Sequence, residues 1–184
     1  MDGPGTDPLL LSLTAGDERA FALLYDRFAA RMYRVALRIL GRREDAEDVV
    51  QDVFMAVVRS RERLANVSDL TAYLFASLRR TAGRCALRSA RSPKASQAAV
   101  LDAAAPLEQT ADYPDCLRLQ QAIRSLPDEQ REVIALKIDG ELTFAQIAQI
   151  MGVSINTAAS RYRYALNKLR SSLEWSGLSF EGKR

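Results

Sequence analysis

A chain of 184 residues has room for one ordinary domain or two small ones, and its 48% hydrophobic content supplies packed cores and excludes a disordered chain. Its 26 basic and 23 acidic residues leave a net charge of only +3, so charge informs here through its placement and not through its sum. No apolar run is long enough to span a membrane, and the opening MDGPGTDPLLLSL puts acid ahead of a short apolar run, so the sequence predicts neither a membrane span nor a secretory leader, and a cytoplasmic location.

From Asp17 to about Arg88 the apolar residues recur at helical spacing, as Phe21, Leu24, Tyr25 and Phe28, then Met32, Val35, Ala36 and Ile39. Asp17 is placed to cap this first long helix and Gly41 to end it. Arg42, Arg43 and Glu44 open a second helix running through Val58, with its acids at the favourable positive end of the dipole. A loop from about Ser60 to Val67 follows. Ser68 and Asp69 can cap a third helix, which passes Tyr73, Leu74 and Leu78 into a basic run of Arg79, Arg80, Arg84, Arg88, Arg91 and Lys94. That run repels itself unless phosphate or another anion answers it.

Between Ser89 and Pro114 the pattern weakens to SARSPKASQAAVLDAAAPLEQTADYP, rich in Ala, Ser and Pro, which predicts a linker over 91–114 with an Ala-rich centre able to form a transient helix. Such a linker lets two lobes engage separate sites. Beyond it, Cys116 to Leu126 is a helix ended by Pro127, and Asp128 to Ile138 is another with Val133, Ile134 and Leu136 as apolar positions. No strand pattern competes, so the fold expected is all-α: two small helical domains, 8–90 and 115–174, with a tail over 175–184. Cys85 and Cys116 lack any paired spacing and are expected to be buried small apolar residues.

The segment TFAQIAQIMGVSINTAASRYRY, Thr143 to Tyr164, meets the requirements of a helix-turn-helix. Thr143 caps a short helix carrying Ile147, Ala148, Ile150 and Met151, and Ala148 is small where a second helix must cross closely. Gly152 supplies the turn, Val153 plugs the angle, and Ser154 caps the next helix, whose buried stripe is Ala158, Tyr162, Ala165, Leu166 and Leu169. Its other face shows Asn156, Thr157, Ala159, Ser160, Arg161 and Arg163, a set able to meet base edges and phosphates in a major groove. A plain helical pair in a bundle also accommodates a glycine turn. The cap, the turn glycine, the small crossing residue and the basic face together favour DNA binding.

Two blocks of the chain carry a resemblance to the extracytoplasmic-function (ECF) type of RNA polymerase sigma factor, in the sigma-70 superfamily. AFALLYDRFAARMYRVALRILGRREDAEDVVQDVFMAVV resembles that family's region two, and LQQAIRSLPDEQREVIALKIDGELTFAQIAQIMGVSINTAASRYRYALNKLR its region four. The resemblance implies that the first lobe binds core polymerase and reads and melts the minus-ten element, while the second reads the minus-thirty-five element. It assigns polymerase docking to Asp45, Asp48, Gln51 and Asp52, beside Val49 and Phe54, and the three- and four-residue spacings do put the acids on nearly one helix face. It makes the loop from Arg61 to Val67 a reader of a base flipped from the non-template strand, with Asn66 and Ser68 as pocket residues and Arg79, Arg80 and Arg84 on strand phosphates. Tyr73 is expected in the core. On the minus-thirty-five side it assigns Ser154, Asn156, Thr157, Ala159, Ser160, Arg161 and Arg163. The partners implied are core RNA polymerase, through its beta-prime coiled coil and beta flap, promoter DNA, and an anti-sigma factor. The chain departs from the usual family pattern at Arg80, where members commonly carry Asn, and at Ala159, where they commonly carry Lys.

The sequence has no histidine, no glycine-rich phosphate loop, no metal-ligand cluster and no nucleophile beside an evident base, so no enzyme, cofactor or metal site is expected. Two rival readings are binding proteins of other kinds. A free-standing repressor would need the helix-turn-helix and neither the acidic helix nor the strand-reading loop. A sigma-like decoy that occupies a regulator would lack the basic surfaces.

Overall fold

A computed structural model describes residues 8–90 and 114–174, and every regular element among them is helical. In chain order these are α1 (Pro8–Ala15), α2 (Glu18–Leu40), α3 (Arg43–Arg59), a 3-10 helix (Arg61–Asn66), α4 (Leu70–Ala90), α5 (Pro114–Arg124), α6 (Asp128–Ile134), a π-helical turn (Ala135–Asp139), α7 (Phe144–Met151) and α8 (Ile155–Glu174). The linker expected at 91–114 lies outside the described residues except for Pro114, which opens α5. The tail with Trp175 and Phe180, the side chain of Cys116, and Arg91 and Lys94 lie outside them as well.

The first lobe is built on α2. Leu24, Phe28, Met32, Val35 and Ala36 form its buried stripe and meet Val49, Val53 and Val57 of α3 and Leu74, Phe75 and Leu78 of α4. Both ends of α2 are set by local chemistry. The Asp17 carboxylate accepts from the Arg19 amide at 2.9 Å, and Gly41 takes a left-handed φ of 76° while its N–H reaches the Leu37 carbonyl at 2.8 Å. The loop expected at 60–67 is a 3-10 helix, because Leu64 is drawn inward and α1, with buried Leu10 and Leu13, packs beside it. Cys85 is buried, as its small apolar character suggests.

The helix expected over 128–138 is not continuous. Beyond Ile134 it widens into the π-turn, and the Gly140 N–H closes onto the Ala135 carbonyl at 2.9 Å. The reason lies in packing, since Val133, Ile134, Ala135 and Leu136 are all buried in succession, which no single helix face provides. Ile134 points into a small core with Ala122, Ile123 and Leu126 of α5 and Ala165 and Leu169 of α8. Val133, Ala135 and Leu136 join a core that runs through α7 into α2 and α4. The two helical clusters are therefore in contact, the second resting on α2 and α4 of the first.

Candidate nucleic-acid interface

The helix-turn-helix is fixed at each of its junctions. Thr143 and Gln146 form a reciprocal capping box: the Gln146 amide donates to Thr143 Oγ1 at 3.2 Å and the Thr143 amide to Gln146 Oε1 at 3.0 Å. Gly152 adopts a φ of 67°, and Val153 then donates to the Ala148 carbonyl at 3.0 Å, turning the chain into α8. Ser154 Oγ accepts from the Thr157 amide at 3.0 Å and shares a 2.8 Å hydrogen bond with Thr157 Oγ1. Ala158, Ala165 and Leu169 face inward, and Tyr162 meets the Phe144 ring edge-on at 5.6 Å. Leu166 departs from its expected place in this stripe: it is 41% exposed, and its neighbours Ala165 and Leu169 are the residues of this turn that enter the small core with α5.

On the outward side, Ser154, Asn156 and Thr157 are exposed at the first turn of α8, as is Arg163 beyond them, whereas Ala159 and Ser160 are half-buried. Arg161 is half-buried too, and its Nη2 pairs with Glu129 of α6 at 2.6 Å. The arrangement presents donors and acceptors over one turn, with a cation already oriented behind them.

In the first lobe, Asn66 and Ser68 are exposed at the junction of the 3-10 helix and α4. Asp69 is the capping side chain, accepting from the Ala72 amide at 2.8 Å. Arg80, Arg84 and Arg88 follow at four-residue spacing on one exposed side of α4. Among the described residues, Arg80 and Arg84 hydrogen-bond to hydroxyls one turn back, Ser77 at 2.9 Å and Thr81 at 3.1 Å, and neither pairs with a carboxylate. Arg79 is turned away from that row and pairs with Glu132 of the second lobe. Tyr73 is half-buried against the core, as expected.

On α3, Asp48, Gln51 and Asp52 are exposed, while Asp45 is half-buried and pairs with Arg42 at 3.6 Å. Val49, expected beside them, is 1% exposed and offers a partner no surface. An open groove of about 1210 Å³ between α2 and α3 was not foreseen; Tyr25, Tyr33, Glu47, Gln51, Phe54 and Met55 are among its walls. Tyr25 belongs to the apolar period of α2 yet is 56% exposed, its ring 5.1 Å from that of Phe54. Periodicity marks such a residue as apolar; only exposure marks it as a contact surface. No group of three or more His, Cys, Asp or Glu able to hold a metal occurs among the described residues.

Family models match in two places, Sigma-70 region 2 over residues 24–92 and Sigma-70, region 4 over residues 116–169. The ECF RNA polymerase sigma factor SigK of Mycolicibacterium vanbaalenii is 31% identical over 175 residues, covering 91% of this chain and 88% of that protein. SigK of Mycobacterium tuberculosis is 29% identical over 180 residues, covering 92% and 94%. Among solved structures, the fold resembles that of CnrH in complex with the cytosolic domain of CnrY, with a TM-score of 0.66, 21% identity and coverage of 90% and 95%. It also resembles the sigma factor RpoE from Bartonella quintana in complex with the anti-sigma factor NepR, with a TM-score of 0.64, 24% identity and coverage of 90% and 92%.

The chain belongs to the ECF type of the sigma-70 family of sigma factors. Its activity is accordingly that of a non-enzymatic subunit that binds core RNA polymerase and takes part in promoter recognition. One expectation is corrected. The cytoplasmic location read from the sequence is withdrawn, since the similar structures, at 21% and 24% identity, carry the fold and no compartment for this chain. What stands is that no helix among the described residues is long and apolar enough to cross a membrane.

Proposed function

We propose that residues 8–90 and 115–174, joined by 91–114, divide promoter recognition between them, the first lobe reading the minus-ten element and the second the minus-thirty-five element. Asp48, Gln51 and Asp52, with Asp45 oriented behind them by Arg42, dock on the basic beta-prime coiled coil of core polymerase. Asn66 and Ser68 hold a base flipped from the non-template strand, and Arg79, Arg80 and Arg84 take its phosphates. Ser154, Asn156, Thr157, Ala159 and Ser160 approach base edges in the major groove, with Arg161 and Arg163 reaching phosphate or guanine. The second lobe also meets the beta flap, and an anti-sigma factor competes for these surfaces. The chain lowers the barrier to opening DNA by binding the opened strand better than the duplex.

The observation that carries this reading is the pairing, on one lobe, of an exposed acidic face on α3 with an exposed arginine row on α4. A repressor has no use for the first, and a decoy none for the second. Run-off transcription with purified core polymerase on a promoter library tests it. Sequence-selective transcripts that depend on the chain are expected. Failure to co-migrate with core polymerase at low salt, with duplex binding retained, returns the chain to a free-standing DNA binder.

A further inference from the structure

Every glycine but one among the described residues has a backbone reason to be glycine. Gly16, Gly41 and Gly152 take a positive φ, and Gly140 sits where a Cβ would fall 2.6 Å from the Leu136 carbonyl oxygen. Gly83 is the exception. It lies in the interior of α4 without a positive φ, it is exposed, and a Cβ added to it would meet nothing within 4 Å. Glycine is a poor residue for a helix interior, since it gives up more backbone freedom than alanine and packs no side chain. Neither a turn of the chain nor a neighbouring helix calls for it here.

The surroundings of Gly83 are charged. Spacings of three and four residues put Arg80, Gly83, Arg84, Leu87 and Arg88 on one exposed side of α4. Arg80 and Arg84 bond to hydroxyls of their own helix, and no carboxylate among the described residues pairs with them. Leu87, one turn beyond Gly83, is 63% exposed, an apolar side chain set among the arginines of the row. This side of the helix therefore offers cations, a place with no side chain, and an apolar surface. A face that meets only water is better served by alanine, glutamate or lysine at both uncharged positions.

We infer that the sugar-phosphate backbone of a single DNA strand crosses α4 at Gly83, and that Leu87 covers the deoxyribose and base beside it. The inference rests on the strand-binding role proposed for Arg80 and Arg84, and it adds two contacts that carry no charge. With no Cβ at the crossing, the strand comes down to the helix backbone itself, which brings its phosphates within reach of both guanidinium groups. Leu87 takes apolar surface of sugar and base out of water, and an unpaired strand exposes more of that surface than a stacked duplex does. The pair thus favours the opened strand. At a rise of about 1.5 Å per residue, Gly83 stands about 20 Å along α4 from Leu70, so the crossing is separate from the pocket of Asn66 and Ser68.

The test uses the full chain and labelled oligothymidylate, which supplies phosphates, sugars and unpaired bases whatever the promoter sequence. Gly83→Ala is expected to raise the melting midpoint by about 2–4 °C, because alanine favours the helix and its methyl group meets nothing, and yet to weaken strand binding about twofold to threefold. Gly83→Leu should weaken it about tenfold. Leu87→Ala should weaken it about threefold with the slope of log affinity against log salt unchanged, since no cation is lost. Unchanged affinity in Gly83→Leu or in Leu87→Ala overturns the inference, and so does a Gly83→Ala chain that melts lower, which would make the glycine structural. Arg84→Ala, expected to reduce the salt slope by about 0.7, reads the strand-binding role of the row alone. A loss there with none in the Gly83 and Leu87 variants overturns the inference and spares that role, whereas no loss there removes the role and the inference with it.

Discussion

Arg38 and Asp139, 101 residues apart in the chain, form a two-point hydrogen-bonded ion pair that ties the long helix of the first lobe to the π-turn of the second. The pair is the most enclosed of the interlobe contacts, and its partners depend on each other unequally. Asp139 is nearly sealed, whereas Arg38 keeps some access to water.

Removing the carboxylate should leave the guanidinium partly desolvated without an answering charge. Asp139→Ala is expected to lower the unfolding free energy by about 2–4 kcal/mol. Urea denaturation followed by circular dichroism measures this. An unchanged midpoint would mean that the pair contributes no more than an exposed one.

The glycines of the second lobe should differ in kind. Gly152 has a φ of 67°, and a Cβ added there would meet nothing within 4 Å, so Gly152→Ala carries a backbone cost alone, about 1 kcal/mol. Gly140 has an ordinary φ of −81°, but its Cβ would press on the Leu136 carbonyl, which must move. Gly140→Ala is therefore expected to cost more, about 2–3 kcal/mol. Thermal melts of the two variants rank them, and the reverse order would contradict the steric account.

Asp48 and Asp52 are exposed on α3, so reversing both to lysine should spare the fold and abolish binding to core polymerase. Native gel co-migration reports binding, and far-ultraviolet circular dichroism reports helix content. Holoenzyme that assembles normally from this variant removes the acidic face from the docking surface.

Arg161 is held by Glu129 before any DNA arrives. Arg161→Ala should weaken upstream promoter binding about fivefold to tenfold and reduce the slope of log affinity against log salt by about one. Glu129→Ala, which only releases Arg161, should not weaken binding. Matching losses in both variants would assign Arg161 a purely structural role.

Much of the candidate site was legible because its parts are local. Thr143, Gly152 and Ser154 act on backbone within three or four residues of themselves, and the structure has each at the junction its chemistry implies. Tyr25, Leu166 and Val49 were read less well, since spacing says which residues share a helix face and not which face a neighbour covers. The partners of Arg79 and Arg161 were out of reach for the same reason. Glu132 lies 53 residues from Arg79, and no short-range pattern joins them.

The order of residues alone determined an all-helical chain, its caps and turns, the helix-turn-helix and the family to which the protein belongs, because those depend on interactions a few residues long. Only the tertiary structure decided that the helix after Asp128 must widen into a π-turn, that the lobes share a core, and that Arg79 pairs with a carboxylate of the other lobe. These outcomes come from fitting one lobe's surface against the other, and the energies that select them belong to pairs of residues distant in the chain.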